Sequence, residues 1–454
     1  MKVVIINSPL FREKNPQYDE DSLPPLGLGY IATHLQNNEV EVDLIDAVDQ
    51  RIALTDLVTT LNYFKPEFVA SNVFTTNYEL VRELIESLTF STHIIIGGLS
   101  TKELHKNILT WKTNNLLDIV IGDGELITLD IVKDTLKQEP LITQGNFRVF
   151  KVDGRSMYYL HDISEAKLNR KFFLNEPVKH PFGFVEANIV ASRGCIYNCT
   201  FCAAASSLSK DYPNRERSKE SLIRELTEIG KQYPSVNSIR VLDDLFLKDR
   251  KVVNKAIDVF SNFGFQWRSM AHVLTFHNVD QATMEALKRS GCTELFIGIE
   301  SGSPKILRSI NKTHNIDTIV SNLNKVFKAK IDMKGYFIYG FPGETADDME
   351  MTYQLAKRLS EGAEAEGVNF RASVFQYRPY HATEIYNDLV ELGKSVQVEQ
   401  VAPNQELSHM VGRIQFNFHS GNYSSVDLET VHSYIYRTTN LNSPELFNGI
   451  KPLD

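Results

Sequence analysis

The chain has 454 residues, with 48 basic and 57 acidic side chains and a formal net charge of -9. Its hydrophobic share of 42% and charged share of 23% are those of a globular protein, which excludes wholesale disorder and fibrous repeats. An acidic chain has no global electrostatic reason to bind nucleic acid, and no apolar run approaches the roughly 18 residues of a membrane span. We therefore expect neither a nucleic-acid partner nor a membrane partner.

The first 140 residues alternate short apolar runs with amphipathic stretches. Strands are predicted over residues 3–7, 40–46, 68–74, 93–98 and 118–125, with apolar residues at helical spacing between them. This alternation predicts a parallel, doubly wound, Rossmann-like sheet over residues 1–140. Ligands of such sheets bind beyond the carboxyl ends of the strands, where the sequence places Asn7-Ser8-Pro9, residues 72–77 and Gly97-Gly98. No G-x-G-x-x-G opens the first helix, so the dinucleotide fingerprint is missing.

The rest of the chain divides into three predicted parts. Residues 141–184 lose the alternation and are expected to form a connector with irregular or antiparallel elements. Six strand–helix units follow over residues 185–395, with strands predicted over 186–192, 238–244, 265–271, 294–300, 335–341 and 368–375. Six units predict a partial, TIM-like (β/α)6 barrel with its chemistry at the strand carboxyl ends. Residues 396–454 are expected to form a small C-terminal cap, so the predicted class is α/β throughout.

Three of the four cysteines, Cys195, Cys199 and Cys202, form a C-x3-C-x2-C loop directly after a predicted strand. Thiolates are the preferred ligands of iron–sulfur clusters, and three of them leave one iron of a four-iron cluster open for catalysis. A structural zinc loop and a ferredoxin-type electron carrier are the alternatives, although no second C-x2-C half and no fourth local cysteine are present. Cys292 is expected to pack as a small hydrophobe. Four cysteines are too few for a disulfide scaffold, which indicates a reducing, cytoplasmic location.

Further short motifs accompany the cysteine loop in the predicted barrel. They are Arg217-Ser218 with Glu225, Val241-Leu242-Asp243-Asp244-Leu245-Phe246, Ile297-Gly298-Ile299-Glu300-Ser301-Gly302-Ser303, Ile310-Asn311-Lys312 and Gly340-Phe341-Pro342-Gly343-Glu344-Thr345. As a set they resemble the radical SAM superfamily. The resemblance implies a [4Fe–4S] cluster on the three cysteines, whose open iron is chelated by S-adenosylmethionine (SAM), and reductive cleavage of SAM to methionine and a 5′-deoxyadenosyl radical. It also implies that SAM is bound by Phe201, Asp243, Glu300, Ser301 and Gly340.

The N-terminal half is similar to the cobalamin-binding domain found in part of that superfamily. Leu23-Pro24-Pro25-Leu26-Gly27-Leu28-Gly29-Tyr30-Ile31-Ala32, Gly97-Gly98-Leu99-Ser100 and Gly122-Asp123-Gly124-Glu125 resemble its P-P-L-G-L-x-Y-L-A, G-G-P-H and G-E-G-E segments. The resemblance implies cobalamin contacts at Pro9, Leu26, Gly27, Thr75, Gly97, Gly98, Gly122 and Glu125. The chain departs from the pattern in three places. It has no D-x-H-x-x-G, so no histidine is named as a lower cobalt ligand; Leu99-Ser100 replaces Pro-His; and residues 380–386 replace P-G-T-x-L-Y.

This resemblance implies a cobalamin-dependent C-methyltransferase that acts on a small specialised metabolite and takes electrons from a flavodoxin- or ferredoxin-type donor. Some relatives with the same domain rearrange, cyclise or transfer the 3-amino-3-carboxypropyl part of SAM, so a radical SAM enzyme that does not methylate stays open as the alternative. A non-catalytic iron–sulfur or zinc protein is the remote one. The sequence names no catalytic side chain, since His272 and His381 are most simply read as packed or surface histidines.

Overall fold

A computed structural model describes residues 1–9, 23–179, 183–205, 210–394, 396, 399–400, 418–419 and 421–441. The helices are α1 Leu26–Asn37, α2 Leu54–Phe64, α3 Tyr78–Glu86, α4 Thr101–Ile108, α5 Glu125–Val132, α6 Lys219–Gln232, α7 Arg250–Phe260, α8 Gln281–Arg289, α9 Pro304–Ser309, α10 Ile316–Lys328, α11 Ala346–Ala365, α12 Glu384–Glu391 and α13 Leu428–Thr439. The strands are β1 Lys2–Asn7, β2 Glu41–Asp46, β3 Phe68–Asn72, β4 His93–Gly97, β5 Leu116–Gly122, β6 Ile142–Gln144, β7 Phe147–Val152, β8 Val178–Lys179, β9 Val185–Ile189, β10 Ser192–Arg193, β11 Arg215–Glu216, β12 Ser238–Val241, β13 Gln266–Ala271, β14 Cys292–Glu300, β15 Asp332–Tyr339, β16 Phe370–Gln376, β17 Glu399–Gln400 and β18 Phe418–His419.

The first sheet has the order β2-β1-β3-β4-β5-β7-β6, and all of its pairings are parallel except that of β6 with β7. Its apolar runs are buried because helices cover both faces, which confirms the predicted Rossmann-like arrangement. The expected connector over residues 141–184 begins differently, since β6 and β7 complete this sheet. The tight hairpin at Gly145 allows β7 to return alongside β5, so the sheet extends to Val152.

The second sheet has the order β16-β15-β14-β13-β12-β9-β8. Six of these strands, β9 and β12 to β16, are parallel neighbours, and β8 pairs antiparallel with β9 at one edge. The sheet curls into a half-barrel with helices packed on its outer face, which confirms the predicted partial barrel. Because all six strands run the same way, their carboxyl ends meet at one mouth, and loops from each strand can converge there.

Local capping fixes where the barrel helices begin. At each of these positions a side-chain oxygen accepts a hydrogen bond from a backbone amide in the first turn, which satisfies a donor that the helix itself leaves open. The capping residues are Ser218, Asp249, Asp280, Ser303, Asn315, Thr345, Thr383 and Asp427. Three of them lie within or directly beside the sequence motifs, so those motifs mark strand-to-helix turns at the barrel mouth.

Most of the expected C-terminal cap over residues 396–454 lies outside the described residues. The described part includes α13, whose Val431 and Ile435 are buried in the barrel core. The Tyr339 hydroxyl lies 2.7 Å from the Thr438 hydroxyl, which ties α13 to the end of β15. This helix is therefore packed into the barrel rather than set apart from it. No helix in the described part of the chain is long and apolar enough to cross a membrane.

Candidate active site

The three cysteines lie on the loop between β10 and β11, at the mouth of the half-barrel. All three are free thiols, Cys199 is buried, and Cys195 and Cys202 are half-buried. The amide of Tyr197 points to the Cys195 sulfur at 3.5 Å, and the amide of Cys202 donates to the Cys199 carbonyl at 3.1 Å. These two contacts show tight turns within the loop, between Cys195 and Tyr197 and between Cys199 and Cys202.

Neighbouring elements hold this cysteine loop from two directions. The Thr200 amide donates to the Ile310 carbonyl, and the Asn311 side chain donates to the Asn198 carbonyl at 2.8 Å. From the other side, the Ile385 amide in α12 donates to the Thr200 carbonyl at 3.2 Å. The segment Ile310-Asn311-Lys312 therefore lies next to the cysteine loop.

The thiols fit a site that needs added positive charge. Burial raises the pKa of Cys195 and of Cys199, and it raises the pKa of Cys202 to about 12, with smaller contributions from the other cysteines of the loop. Such thiols ionise only when a cation or a metal centre compensates, and metal ligands must be thiolates. Among the described residues no three His, Cys, Asp or Glu side chains stand close enough to hold one metal ion. By its chemistry, a set of three cysteine thiols on one loop is a donor set that iron–sulfur clusters use.

Asp243 supports the cysteine loop from beneath. Its Oδ1 accepts a hydrogen bond from the Ala191 amide at 2.7 Å, and its Oδ2 accepts one from the Ser192 hydroxyl at 2.6 Å. Burial raises its pKa to about 7. Both carboxylate oxygens are therefore used by the start of the loop. The structure gives Asp243 a loop-supporting role in addition to the SAM contact that the resemblance implies, and the SAM contact stays a prediction.

Glu300 ends β14 in a left-handed backbone conformation, with φ of 67°, and is buried. Its carboxylate accepts a hydrogen bond from the Lys312 ammonium at 2.8 Å, and the same ammonium donates to the Gly298 carbonyl at 2.6 Å. Burial alone would lower the pKa of Lys312, but the charges of Glu300 and Cys199 raise it. Lys312 therefore stays protonated between the glutamate and the cysteine loop, where it stabilises negative charge.

Ser301 and its neighbours connect the turn after β14 to α11. The Ser301 hydroxyl lies 3.0 Å from the Thr352 hydroxyl in α11 and is fully buried. Ser303 donates from its hydroxyl to Asp348 at 2.6 Å, and Lys305 binds the same carboxylate at 2.7 Å. Ser301 thus serves the packing of the turn before α9 against α11, and its predicted SAM contact stays a prediction.

Gly340 and Glu344 form the other end of this connection. Gly340 has a φ of 94°, and its amide donates to the buried Glu344 carboxylate at 2.6 Å, as does the Phe341 amide at 3.0 Å. Burial raises the pKa of Glu344 to about 8. The turn after β15 is therefore closed around its own glutamate.

Aromatic rings line the cysteine loop. Phe201 is half-buried and packs edge-to-face on Phe341, with ring centroids 5.6 Å apart. Tyr197 stacks on His272 at the end of β13, with centroids 3.7 Å apart and planes 20° apart. The Nδ1 of His272 accepts a hydrogen bond from the Leu274 amide at 3.1 Å, so its proton is on Nε2, and burial lowers its pKa to about 3. His272 is thus a neutral ring that supports the cysteine loop.

The residues predicted to contact cobalamin gather at the carboxyl edge of the first sheet. Pro9 follows β1, and Gly97 ends β4. At the start of α1, Leu26 is buried against Tyr30 and Phe173, whereas Gly27 is exposed. Among the described residues, a methyl group placed on Gly27 would meet no atom within 4 Å, and one on Gly97 would reach the Val120 carbonyl at 4.0 Å. Both glycines therefore leave space through which a ligand could approach the backbone closely.

Gly98 and Gly122 have a different reason to be glycine. Their φ angles are 105° and 109°, values that side-chain-bearing residues rarely adopt. A methyl group on Gly98 would lie 2.7 Å from the Val73 amide, and one on Gly122 would lie 2.2 Å from the Val152 carbonyl. Both are required by the turns that end β4 and β5. Their predicted cobalamin contacts stay predictions.

Glu125 belongs to a group of charged residues that connects the two sheets. The Arg193 guanidinium, two residues before Cys195, binds Glu125 through one nitrogen and Asp123 through another at 3.1 Å. Arg215 on β11 binds both oxygens of Asp123, at 2.5 and 3.1 Å. We call Asp123, Glu125, Arg193 and Arg215 the interdomain clamp. It fixes the cysteine loop against the carboxyl edge of the first sheet, so Glu125 has an ion-pair role that its motif did not predict.

A second connection lies beyond the clamp. Thr75, on the loop after β3, is buried, and its hydroxyl lies 3.1 Å from Nδ1 of His381 on the loop after β16. Burial lowers the pKa of His381, so the ring is neutral. The carboxyl edge of the first sheet and the mouth of the half-barrel therefore face one another, with the cysteine loop between them.

Sequence reasoning missed Arg193, Arg215 and the role of Tyr197. One signal for Arg193 was present in the sequence, because this residue directly precedes Gly194-Cys195 at the start of the cysteine motif. In the structure its strand, β10, pairs with β11, which carries Arg215. A charged residue next to a motif does not show which residue it will bind, however. The carboxylates it binds lie 68 and 70 positions earlier in the chain.

Comparison with known proteins agrees with these two halves. Residues 189–356 match the family model of the Radical SAM superfamily, and residues 20–132 match that of the B12 binding domain. The superfamily match favours the iron–sulfur interpretation of the cysteines over the zinc loop and the ferredoxin.

Individual relatives and structures resemble the chain over most of its length. It is 26% identical to an uncharacterised methyltransferase of Pyrococcus horikoshii, over 74% of this chain and 73% of that protein. It is 23% identical to the cytidylyl-2-hydroxyethylphosphonate methyltransferase of Streptomyces wedmorensis, over 86% of this chain and 82% of that protein. The fold is shared with TsrM from Kitasatospora setae, a radical S-adenosylmethionine methyltransferase solved with cobalamin and a [4Fe-4S] cluster, at a TM-score of 0.63 and 14% identity, over 100% of this chain and 92% of that one.

Proposed function

Because the chain joins a B12-binding domain to a radical SAM domain, we propose that it is a cobalamin-dependent radical SAM methyltransferase acting on a carbon atom of a small specialised metabolite. The observation that carries the proposal is the interdomain clamp. It holds the cysteine loop against the open carboxyl edge of the first sheet, and a methyl carrier and a radical generator must face a common substrate. The named methyltransferases among the relatives support the same reaction class.

Specific residues would hold each cofactor. Cys195, Cys199 and Cys202 would bind the [4Fe–4S] cluster, and SAM would lie beside Glu300, Phe201 and the edge of β15 near Gly340. Cobalamin would lie on the edge formed by Pro9, Gly27, Thr75 and Gly97. When bound, these groups supply reductive cleavage of SAM and carriage of a methyl group, which no protein side chain provides.

The chain's own residues prepare the site for that chemistry. Lys312, held between Glu300 and the cysteine loop, keeps a positive charge next to thiolates that burial would otherwise disfavour. Asp243 and the Asn311 amide fix the loop backbone, so the ligands need not reorganise when they bind. The stacked Tyr197 and His272 rings pack the loop against the end of β13.

Partner and location are part of the proposal. A flavodoxin- or ferredoxin-type donor would supply electrons, and the substrate would be a small molecule rather than a nucleic acid. We place the reaction in the cytoplasm, because all four cysteines are free thiols and the proposed cluster needs a reducing environment.

The test is product analysis after anaerobic reconstitution with iron and sulfide. Protein with and without hydroxocobalamin is incubated with SAM and a low-potential reductant, and nucleoside products are separated. Formation of S-adenosylhomocysteine that depends on cobalamin, together with 5′-deoxyadenosine, is expected. 5′-Deoxyadenosine alone would favour a rearranging or cyclising enzyme, and methylthioadenosine would favour aminocarboxypropyl transfer. Absence of any SAM cleavage would reject the radical SAM assignment.

A further inference from the structure

Arg193 links a turn of the first domain to the start of the cysteine loop in the second domain. Its guanidinium lies between the carboxylates of Asp123 and Glu125, which belong to the turn from β5 to α5 in the first domain. Its own peptide stands two residues before Cys195, in the second domain. A shift of that turn therefore acts on the backbone of Arg193, which is separated from the first cysteine by Gly194 alone.

The backbone around Arg193 is held by strand pairing and by hydrogen bonds, so a shift of the turn would also displace the start of the cysteine loop. Arg193 pairs with Arg215 in the β10–β11 ribbon, and Arg215 binds the same Asp123. The Asn214 side chain donates to the carbonyls of Arg193 and Gly194, at 3.3 and 2.7 Å. These contacts tie the guanidinium, the ribbon and the Gly194 peptide before the first cysteine to one another.

The other end of the connection lies in the predicted cobalamin edge. Glu125 is the first residue of α5, and Gly122 ends β5, at the same carboxyl edge as Gly97 and Gly27. Both carboxylates are buried, and both depend on arginines from the second domain for their counter-charge. Breaking such a charge-assisted pair on one side leaves a buried carboxylate without its counter-charge, which is costly, so Arg193 is expected to follow the turn when the turn shifts.

We propose that Arg193 is a positioning residue that couples the two cofactor sites, so that a bound cluster on the cysteine loop and cobalamin on the first domain each strengthen binding of the other. This inference rests on the proposed function, since it presumes that both groups bind. Coupling of this kind is reciprocal, and its usual size is about 5- to 150-fold in affinity. We expect about a tenfold effect, because a single buried pair cluster carries it.

The experiment measures cobalamin affinity rather than turnover. Hydroxocobalamin is titrated by its absorption spectrum into anaerobic full-length protein, once with the reconstituted cluster and once without it. In the wild-type chain the cluster should tighten binding about tenfold. In Arg193→Gln and in Glu125→Gln the ratio should fall to about one, and Arg193→Lys should keep part of it, because the charge remains while the forked contact is lost.

A matched control and a second readout separate coupling from simple loss of structure. Arg250→Gln removes an exposed arginine that pairs with Asp280, and its affinity ratio should equal that of the wild type. The electron paramagnetic resonance spectrum of the reduced cluster should change when cobalamin is added to the wild type and stay unchanged in Arg193→Gln. If Arg193→Gln fails to fold by its melting curve, Glu125→Gln carries the same expectation from the other side of the pair.

The outcomes distinguish this inference from the proposed function. Equal cobalamin affinity with and without the cluster in the wild type overturns the coupling and leaves the proposed function standing. Absence of cobalamin binding in both states overturns both. A tenfold ratio that survives in Arg193→Gln and Glu125→Gln shows that the coupling runs through other residues and rejects Arg193 as its carrier.

Discussion

The Nδ1 atom of His381 lies 3.1 Å from the hydroxyl oxygen of Thr75, although 306 positions separate the two residues in the chain. The contact joins the loop after the last barrel strand to the loop after the third strand of the first sheet. His381 also packs against Tyr386, with ring centroids 5.1 Å apart. The altered segment at 380–386 therefore contributes to the interface between the two halves.

This contact predicts an energetic coupling between the domains. A double-mutant cycle with Thr75→Val and His381→Phe keeps the shapes of both side chains and removes the hydrogen bond. We expect an interaction energy of about 0.5–1.5 kcal/mol, the usual net value for such a bond. Urea unfolding followed by tryptophan fluorescence measures it, since Trp111 reports on the first domain and Trp267 on the barrel. Strictly additive effects would show that the two residues do not interact.

The cysteine assignment predicts unequal effects of two similar substitutions. Cys199→Ala should abolish the visible absorption of the reconstituted cluster and all SAM cleavage, because it removes one of three ligands. Cys292→Ala, the matched control, should retain both, because Cys292 is fully buried in the barrel core away from the cysteine loop. Its cost should be a small loss of stability. SAM cleavage by Cys199→Ala at the wild-type rate would refute the cluster site.

Asp243 offers a test between loop support and direct SAM binding. Asp243→Ala leaves the Ala191 amide without its partner, which should cost about 1–3 kcal/mol and reduce iron content. Asp243→Asn can still accept from that amide, and the Ser192 hydroxyl can rotate to accept, so it should keep its iron content near that of the wild type. Iron assay and SAM binding by equilibrium dialysis are the measurements. Equal loss of SAM binding in both variants, with iron retained, would favour the direct contact.

The open edge at Gly27 predicts a selective loss of cobalamin. A leucine there meets no atom of the described residues near its Cβ, so Gly27→Leu should fold with an unchanged melting temperature. Its side chain would fill the space proposed for the ligand, and affinity for hydroxocobalamin should fall at least about tenfold, or about 1.4 kcal/mol. Gly264→Leu, at an exposed glycine with equal space, is the control. Unchanged cobalamin affinity in Gly27→Leu would move the ligand elsewhere.

His272 predicts a dependence of stability on pH. Burial, with a contribution from the charge of Lys312, lowers its pKa from 6.5 to about 3, so the unfolded chain takes up its proton before the folded one. The stabilisation is present above about pH 6.5 and is lost as the pH falls from there toward 3. Between about pH 7.5 and about pH 5 this amounts to about 2 kcal/mol. His272→Phe keeps the ring against Tyr197 and should flatten melting temperatures of cluster-free protein across that range; an unchanged slope would assign it to other groups.

Local patterns determined much of what this chain is. Continuous apolar runs and their alternation with amphipathic stretches predicted both sheets, because burial on two faces leaves a mark on consecutive residues. The cysteine spacing predicted a donor set because all three thiols lie on one short loop, and their binding of a cluster stays a prediction. The segments around Glu300 and Gly340 were recognised from the sequence, and in the structure both lie at the barrel mouth.

The tertiary structure decided which residues meet. The resemblance placed Glu125 and Asp243 at ligand sites, and those contacts stay predictions. The fold adds that Glu125 pairs with Arg193 and that both Asp243 oxygens bind the start of the cysteine loop. With 48 basic and 57 acidic side chains, composition allows thousands of ion pairs, and local spacing cannot choose among them. The tertiary structure sets the two carboxyl edges face to face, which brings Arg193 to Glu125 and His381 to Thr75. Such pairs cannot be found from the sequence alone, because their interaction energy depends on the distance between them in space and not along the chain.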